Sequence, residues 1–260
     1  MPLIFYAFLF FAGLAGGFFS GMLGIGGGII MFPLLLYLPP LLGLDTIDVK
    51  SITGLTMIQG FFSSITAMLL YRRQRLVNKS LVFTLGPSLC LSSLSGALVS
   101  KITPDKFLLL VFGALAFTAS VMMLIPRSYS RDDSTEEAAH FNRPIAISIG
   151  ISVGFLLGLV GQGGAFIIIP ILLYVLKIPL RVALGSTLAI GLFSSTAGLA
   201  GKLATGQVPF LMTFALLAGT IPAARLGSIL SMKTNTHVLR WLLAIIISVT
   251  AAKIWLSILL

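Results

Sequence analysis

Apolar residues fill this chain in continuous runs, interrupted only by short polar, glycine-rich or proline-rich punctuation, with no strict alternation of apolar and polar positions. Runs of about 20 apolar residues match the thickness of a bilayer's hydrocarbon core. Continuous apolarity selects helices over a barrel, because a spanning segment in lipid satisfies its own backbone hydrogen bonds. The pattern predicts an all-α integral membrane protein with five segments in each half. They cover 3–22, 26–43, 50–71, 79–100 and 104–126, then 144–160, 163–178, 181–201, 207–231 and 236–259. Short segments such as 163–178 either cross or dip in and return, which leaves about 8–10 membrane segments.

The two halves repeat. Gly17, Gly21, Gly24, Gly26, Gly27, Pro33 and Tyr37 return as Gly154, Gly158, Gly161, Gly163, Gly164, Pro170 and Tyr174. After a contraction in the next loop, Gly54, Thr56, Gly60, Phe62, Ser63, Ser64 and Gly96 match Gly185, Thr187, Gly191, Phe193, Ser194, Ser195 and Gly227. Glycine-broken apolar segments in corresponding places are the pattern of a transporter built from two repeats, its substrate site lying where the broken helices meet. Residues 1–126 are therefore expected to form the first membrane repeat, 127–143 a polar cytoplasmic linker and 144–260 the second repeat.

Charge decides how the halves are oriented. If all five segments of each half cross, one side collects Arg72, Arg73, Arg75, Lys79, Arg127, Arg131, Arg143, Lys177, Arg181, Lys233 and Arg240, against Lys50, Lys101, Lys106, Lys202 and Lys253 on the other. If each glycine-broken pair counts as one crossing, the bases divide almost evenly. The positive-inside rule favours the first arrangement: inverted repeats, the N-terminus outside and the basic loops in the cytoplasm.

Composition agrees on the solvent. With 57% hydrophobic and 9% charged residues the chain is no water-soluble globule, and its +10 net charge sits in short loops beside apolar spans, so it reports topology and not a nucleic-acid partner. Cys90 stands alone, which excludes an internal disulfide. The first 23 residues lack a basic start and their glycine pattern returns at residue 154, so they are expected to remain as a span. The linker carries Asp132, Asp133, Glu136 and Glu137, with Ser134 three residues before Glu137 as a candidate capping box.

Candidate chemistry gathers at the breaks Gly24–Gly28 and Gly161–Gly164. Glycine reaches backbone angles closed to other residues, and unwound backbone is tolerated at membrane depth where it is buried in protein or lines a wet cavity. Half-helices starting at Gly28 and Ala165 would aim N–H donors and positive dipole ends into that cavity, which suits an anion. Gln162 either donates to a substrate oxygen or ties up freed carbonyls. Thr56, Gly60, Ser63 and Ala67, with Thr187, Gly191, Ser194 and Gly198, form small-residue stripes at helical spacing that serve either close packing or substrate contact. The seven acids all lie in loops or at span ends, unlike those of a carboxylate-based cation or proton pump. Arg225 either snorkels to the interface or meets the anion; Lys202 reads as an interface anchor. His140 and His237 have no metal-ligand company, no acid or histidine stands ready to activate Ser63 or Ser194, and neither metal, cofactor nor enzyme activity is expected.

The duplicated Gly-x-x-Gly-x-Gly-Gly motif followed by proline, at Gly21 to Pro33 and Gly158 to Pro170, with Gly185-Ser186-Thr187 beyond it, resembles the sulfite exporter TauE/SafE family of membrane permeases. The resemblance covers essentially the whole chain. It implies passage of small sulfur-containing anions, such as sulfite, sulfoacetate or other organosulfonates, across the bacterial cytoplasmic (inner) membrane. It marks Gly24, Gly26, Gly27, Gly161, Gly163 and Gly164; Leu55 departs from Ser186, so the halves need not contribute equally. The expected function is secondary transport of such an anion by alternating access. The substrate-binding candidates are Gly24, Gly26, Gly27, Gly28, Thr56, Ser63, Gly161, Gln162, Gly163, Gly164, Thr187, Ser194 and Arg225. Partners are the anion and membrane lipid, with a coupling proton or sodium ion and a homo-oligomer left open. An anion channel and a membrane scaffold without transport are the alternatives.

Overall fold

The computed structural model describes residues 3–73, 76–125, 141–162 and 166–259. Among them are ten α-helices and no strand: α1 (Leu3–Leu23), α2 (Gly28–Leu41), α3 (Val49–Arg73), α4 (Lys79–Val99), α5 (Asp105–Leu124), α6 (Arg143–Val160), α7 (Ile168–Tyr174), α8 (Leu180–Ala204), α9 (Phe210–Lys233) and α10 (Thr236–Leu259). Eight are long and apolar enough to cross a membrane; α2, with 14 residues, and α7, with 7, are not. The expected linker acids, Ser134 and His140 lie outside the described residues, as do Gly163, Gly164 and Ala165 of the second break.

Local chemistry sets the boundaries. Asn78 Oδ1 accepts the Leu81 N–H at 2.9 Å to start α4, and Asn142 does the same for Ile145, with Pro144 following, to start α6. Prolines 104, 179 and 209 precede α5, α8 and α9, where a missing N–H costs nothing. Gly161, with φ +72°, closes α6, and the next N–H, from Gln162, reaches back to the Leu157 carbonyl at 2.9 Å.

Helix directions follow from the register of contacts. Lys202 near the end of α8 meets Thr53 near the start of α3 at 2.8 Å, while the Asn78 N–H, just beyond α3, reaches Ser186 near the start of α8 at 2.9 Å, so α3 and α8 are antiparallel. The Lys50 ammonium donates to the Lys101 carbonyl at 2.7 Å, closing the α3–α4 hairpin, and Arg181 donates to the Thr234 carbonyl at 3.1 Å, closing α8–α9. Gly13, Gly17 and Gly21 face Leu216, Thr220 and Ala224 in turn, so α1 runs alongside α9 in the same sense. Gly150, Gly154 and Gly158 likewise follow Ser88, Ser92 and Ser93, and α6 runs alongside α4. α5 and α10 are antiparallel, joined by Ser120–Ser248 at 2.7 Å and by Trp255 Nε1 donating to the Gly113 carbonyl at 3.2 Å.

Because α1 and α3 thus run in the same sense, the chain between them must return to the end from which α1 started. At 1.5 Å per residue α2 supplies only about 21 Å of the ~30 Å needed; the unwound glycines and the loop after Leu41 supply the rest. Close approach along the α1–α9 seam leaves no room for side chains. A Cβ at Gly17 would stand 2.8 Å from the Thr220 Cα. Gly17→Val is expected to destabilise the fold by about 3 kcal/mol, the upper end for overpacking against backbone. The check is the thermal unfolding midpoint in detergent; an unchanged midpoint would mean the seam is not tight.

Candidate substrate site

The first break sits deep in the protein. Gly24, Gly26 and Gly27 all take positive φ, +66°, +66° and +74°, a left-handed run that L side chains resist. Gly27 is the N-cap of α2 and offers no side-chain cap. Its carbonyl takes the Ile30 and Met31 N–H groups at 3.1 and 2.9 Å. The N–H groups of Gly28 and Ile29 fall in the first turn, where a helix has no internal acceptor for them.

Two carboxamides close on this helix start. Gln162 leaves the end of α6 and lies against Gly28: a Cβ built there would stand 2.9 Å from Gln162 Cδ. Gln59, in the middle of α3, lies against the neighbouring Gly27, where a Cβ would stand 2.9 Å from its Oε1. Both side chains are fully buried, and neither the oxygen nor the nitrogen of either has a hydrogen-bond partner among the described residues. A buried carboxamide left unpaired costs about 1–3 kcal/mol. The two groups lie against adjacent glycines at the positive end of a helix, which makes this the candidate site.

The walls are firm. Thr56 Oγ1 donates to the Gly161 carbonyl at 2.8 Å, fixing the end of α6 against α3. Beyond the second break, Phe166 packs on Phe112, which stacks on Phe32 of α2 with ring centroids 4.4 Å apart. Phe32 of α2 and Phe166 are thereby linked through α5.

The candidate residues separate on this geometry. Gly26, Gly27, Gly28 and Gln162 come together; Gly24 and Gly161 flank them, against Leu184 and Thr53 respectively. Thr56 holds the Gly161 carbonyl, Thr187 bonds the Ala183 carbonyl of its own helix, and Ser63 accepts from Ser20 at 2.7 Å. Ser194 differs: its hydroxyl is buried without a partner, because Leu157 stands where the first half has Ser20. Arg225 is exposed, in a lateral groove between α3 and α9 lined by Ile65, Thr66, Leu69 and Ile221, away from the glutamines. The expectation for Lys202 is overturned. It is not an interface anchor but fully buried, its ammonium surrounded by oxygens of Thr53, Ser100, Gln207 and Leu159, because the turn after α8 folds Gln207 back over it.

Gln59 was not among the candidates. It lies three residues after Thr56 and four before Ser63, on the very face the small-residue stripe marks, and a long polar side chain there is the signal that finds it.

A bundle of apolar spans enclosing a glycine-broken helix start is a multi-pass membrane transporter, and comparison with known proteins agrees. The chain belongs to the sulfite exporter TauE/SafE family, whose pattern it matches over residues 9–254. It is 24% identical to the probable membrane transporter protein YunE of Bacillus subtilis, covering 93% of this chain and 94% of that one. A probable membrane transporter protein of Methanocaldococcus jannaschii is 27% identical and one of Xylella fastidiosa (strain Temecula1) 28%, each covering 93% of this chain and 92% of its own. These are names of transporters, not of enzymes. No solved structure matches the chain.

Proposed function

We propose that this protein is a secondary carrier of a small anion, a sulfur oxyanion or organosulfonate such as sulfite or sulfoacetate, working by alternating access. The observation that carries the reading is the pair Gln59 and Gln162, buried and unpartnered against Gly27 and Gly28. Carboxamide N–H groups and the free N–H groups of a helix start donate to anionic oxygens, and the dipole of α2 favours negative charge there. The name of the family, a sulfite exporter, supports the sulfur chemistry.

The repeats 1–126 and 144–260 would move against each other about this site, joined by the cytoplasmic linker 127–143. Support for inversion comes from the helix directions: α3 opposes α8, and α1 and α4 oppose their counterparts α6 and α9. Lys50 and Lys101 gather at one end, Arg181 and Arg240 at the other, which the positive-inside rule places in the cytoplasm. The full burial of Gln59 and Gln162 supports a carrier over an open pore.

The test is counterflow of radiolabelled sulfite, sulfate, thiosulfate, sulfoacetate and taurine into proteoliposomes. Saturable counterflow of one anion is the expected result. Flux that never saturates and shows no counterflow would make the protein a channel; silence across the panel from folded protein sinks the reading.

A further inference from the structure

The Lys202 ammonium donates to Ser100 Oγ at 2.7 Å, Thr53 Oγ1 at 2.8 Å, Gln207 Oε1 at 3.0 Å and the Leu159 carbonyl at 3.4 Å. Every one of these partners is neutral. A fully buried amine without a carboxylate beside it is costly in a protein interior. The side chains around it are of the kind that bind oxyanions: two hydroxyls, which accept or donate as they rotate, and a carboxamide whose nitrogen already reaches Ser100 Oγ at 3.0 Å.

This cluster adjoins Gln162. Thr53 touches Lys202 through its hydroxyl and packs on Gly161 through its backbone, and Leu159 lies within one helical turn of Gln162. Lys202 therefore stands on one side of Gln162. The opposite end of the same helix pair is built differently. The alignment that pairs Gly60 with Gly191 puts Tyr71 opposite Lys202, Ser231 opposite Ser100, Leu184 opposite Thr53 and Leu76 opposite Gln207. There Tyr71 donates to Ser231 at 2.5 Å, with leucines in place of the hydroxyl and the carboxamide. One end of the helix pair carries a buried lysine and the other a neutral hydroxyl pair.

We infer that Lys202, Thr53, Ser100 and Gln207 form a second anion subsite, on the end of the helix pair away from Tyr71, where the transported oxyanion supplies the charge the lysine lacks. The inference rests on the anion-carrier reading above and deepens it. Its test is the half-saturating concentration for counterflow of radiolabelled sulfite and thiosulfate by wild-type protein, Lys202→Met and Lys202→Arg, with thermal unfolding of each measured beside it. Loss of a hydrogen bond to a charged group predicts a rise of about 10-fold or more for Lys202→Met, larger for thiosulfate than for the less charged sulfite species, and substantial recovery in Lys202→Arg. A folded Lys202→Met protein whose half-saturation stays within twofold overturns the subsite while leaving the carrier intact. Wild-type protein that moves neither probe overturns both. Should Lys202→Met fail to fold, Ser100→Ala and Gln207→Leu take its place, each expected to raise the half-saturation several-fold; unchanged values in both overturn the subsite.

Discussion

Gly27→Val is expected to bring counterflow down to the level of empty liposomes while the protein still inserts and purifies as a folded species. Two effects combine at this position. A β-branched residue at φ +74° carries a penalty of about 1–2 kcal/mol from its own backbone. Its Cβ would also stand 2.9 Å from Gln59 Oε1, so the new side chain displaces the carboxamide on which the proposed site depends. Gly26→Val, at φ +66°, is expected to act in the same direction through the backbone alone. Size-exclusion behaviour in detergent separates a lost site from a lost fold. Wild-type counterflow by Gly27→Val would show that the first break does not hold the substrate.

Gln59→Leu and Gln162→Leu are expected to do two opposite things at once: raise the unfolding midpoint and reduce transport at least about 10-fold. Each glutamine is buried with both ends of its carboxamide unpaired, so an apolar side chain of similar length removes a standing cost of about 1–3 kcal/mol. The chain already shows that aliphatic residues fit such places. Ile190 stands opposite Gln59 and Ile25 opposite Gln162 in the alignment of the two halves, and both isoleucines are fully buried. Stability and activity moving together, both down, would mark the glutamines as structural supports instead.

All ten helices lie within the segments drawn from the hydropathy pattern, give or take a turn, since lipid leaves a chain few ways to satisfy its backbone. The largest departure is α7, shorter than 163–178 at both ends: it begins at Ile168 and stops at Tyr174, before Lys177 takes φ +55°. The second break itself lies outside the described residues. At the site, the glycines announced themselves by duplication and Gln162 by standing out within its motif. Gln59 stayed hidden because a repeat-based comparison highlights residues shared by the halves, and its value lies in the difference from Ile190. Lys202 was misread for a related reason. Its place near a span end suggests snorkelling, and hydropathy holds no trace of the turn that seals it in.

Neither half of this protein can be finished alone. The glycines of α1 pack on α9 of the other half, with Thr220 reaching the Gly13 carbonyl from 207 residues along the chain. At synthesis rates of ~5–20 residues per second, α9 follows α1 into the membrane after roughly 10–40 s. Throughout that interval the first helix must wait with its bare glycine face turned to lipid, and only the arrival of the penultimate helix covers that face. The order of birth is therefore not the order of packing. A ribosome that stalls beyond α8 leaves behind eight helices whose first has α2 and α3 beside it but no cover for its glycine face, a ready substrate for the quality-control proteases of the membrane.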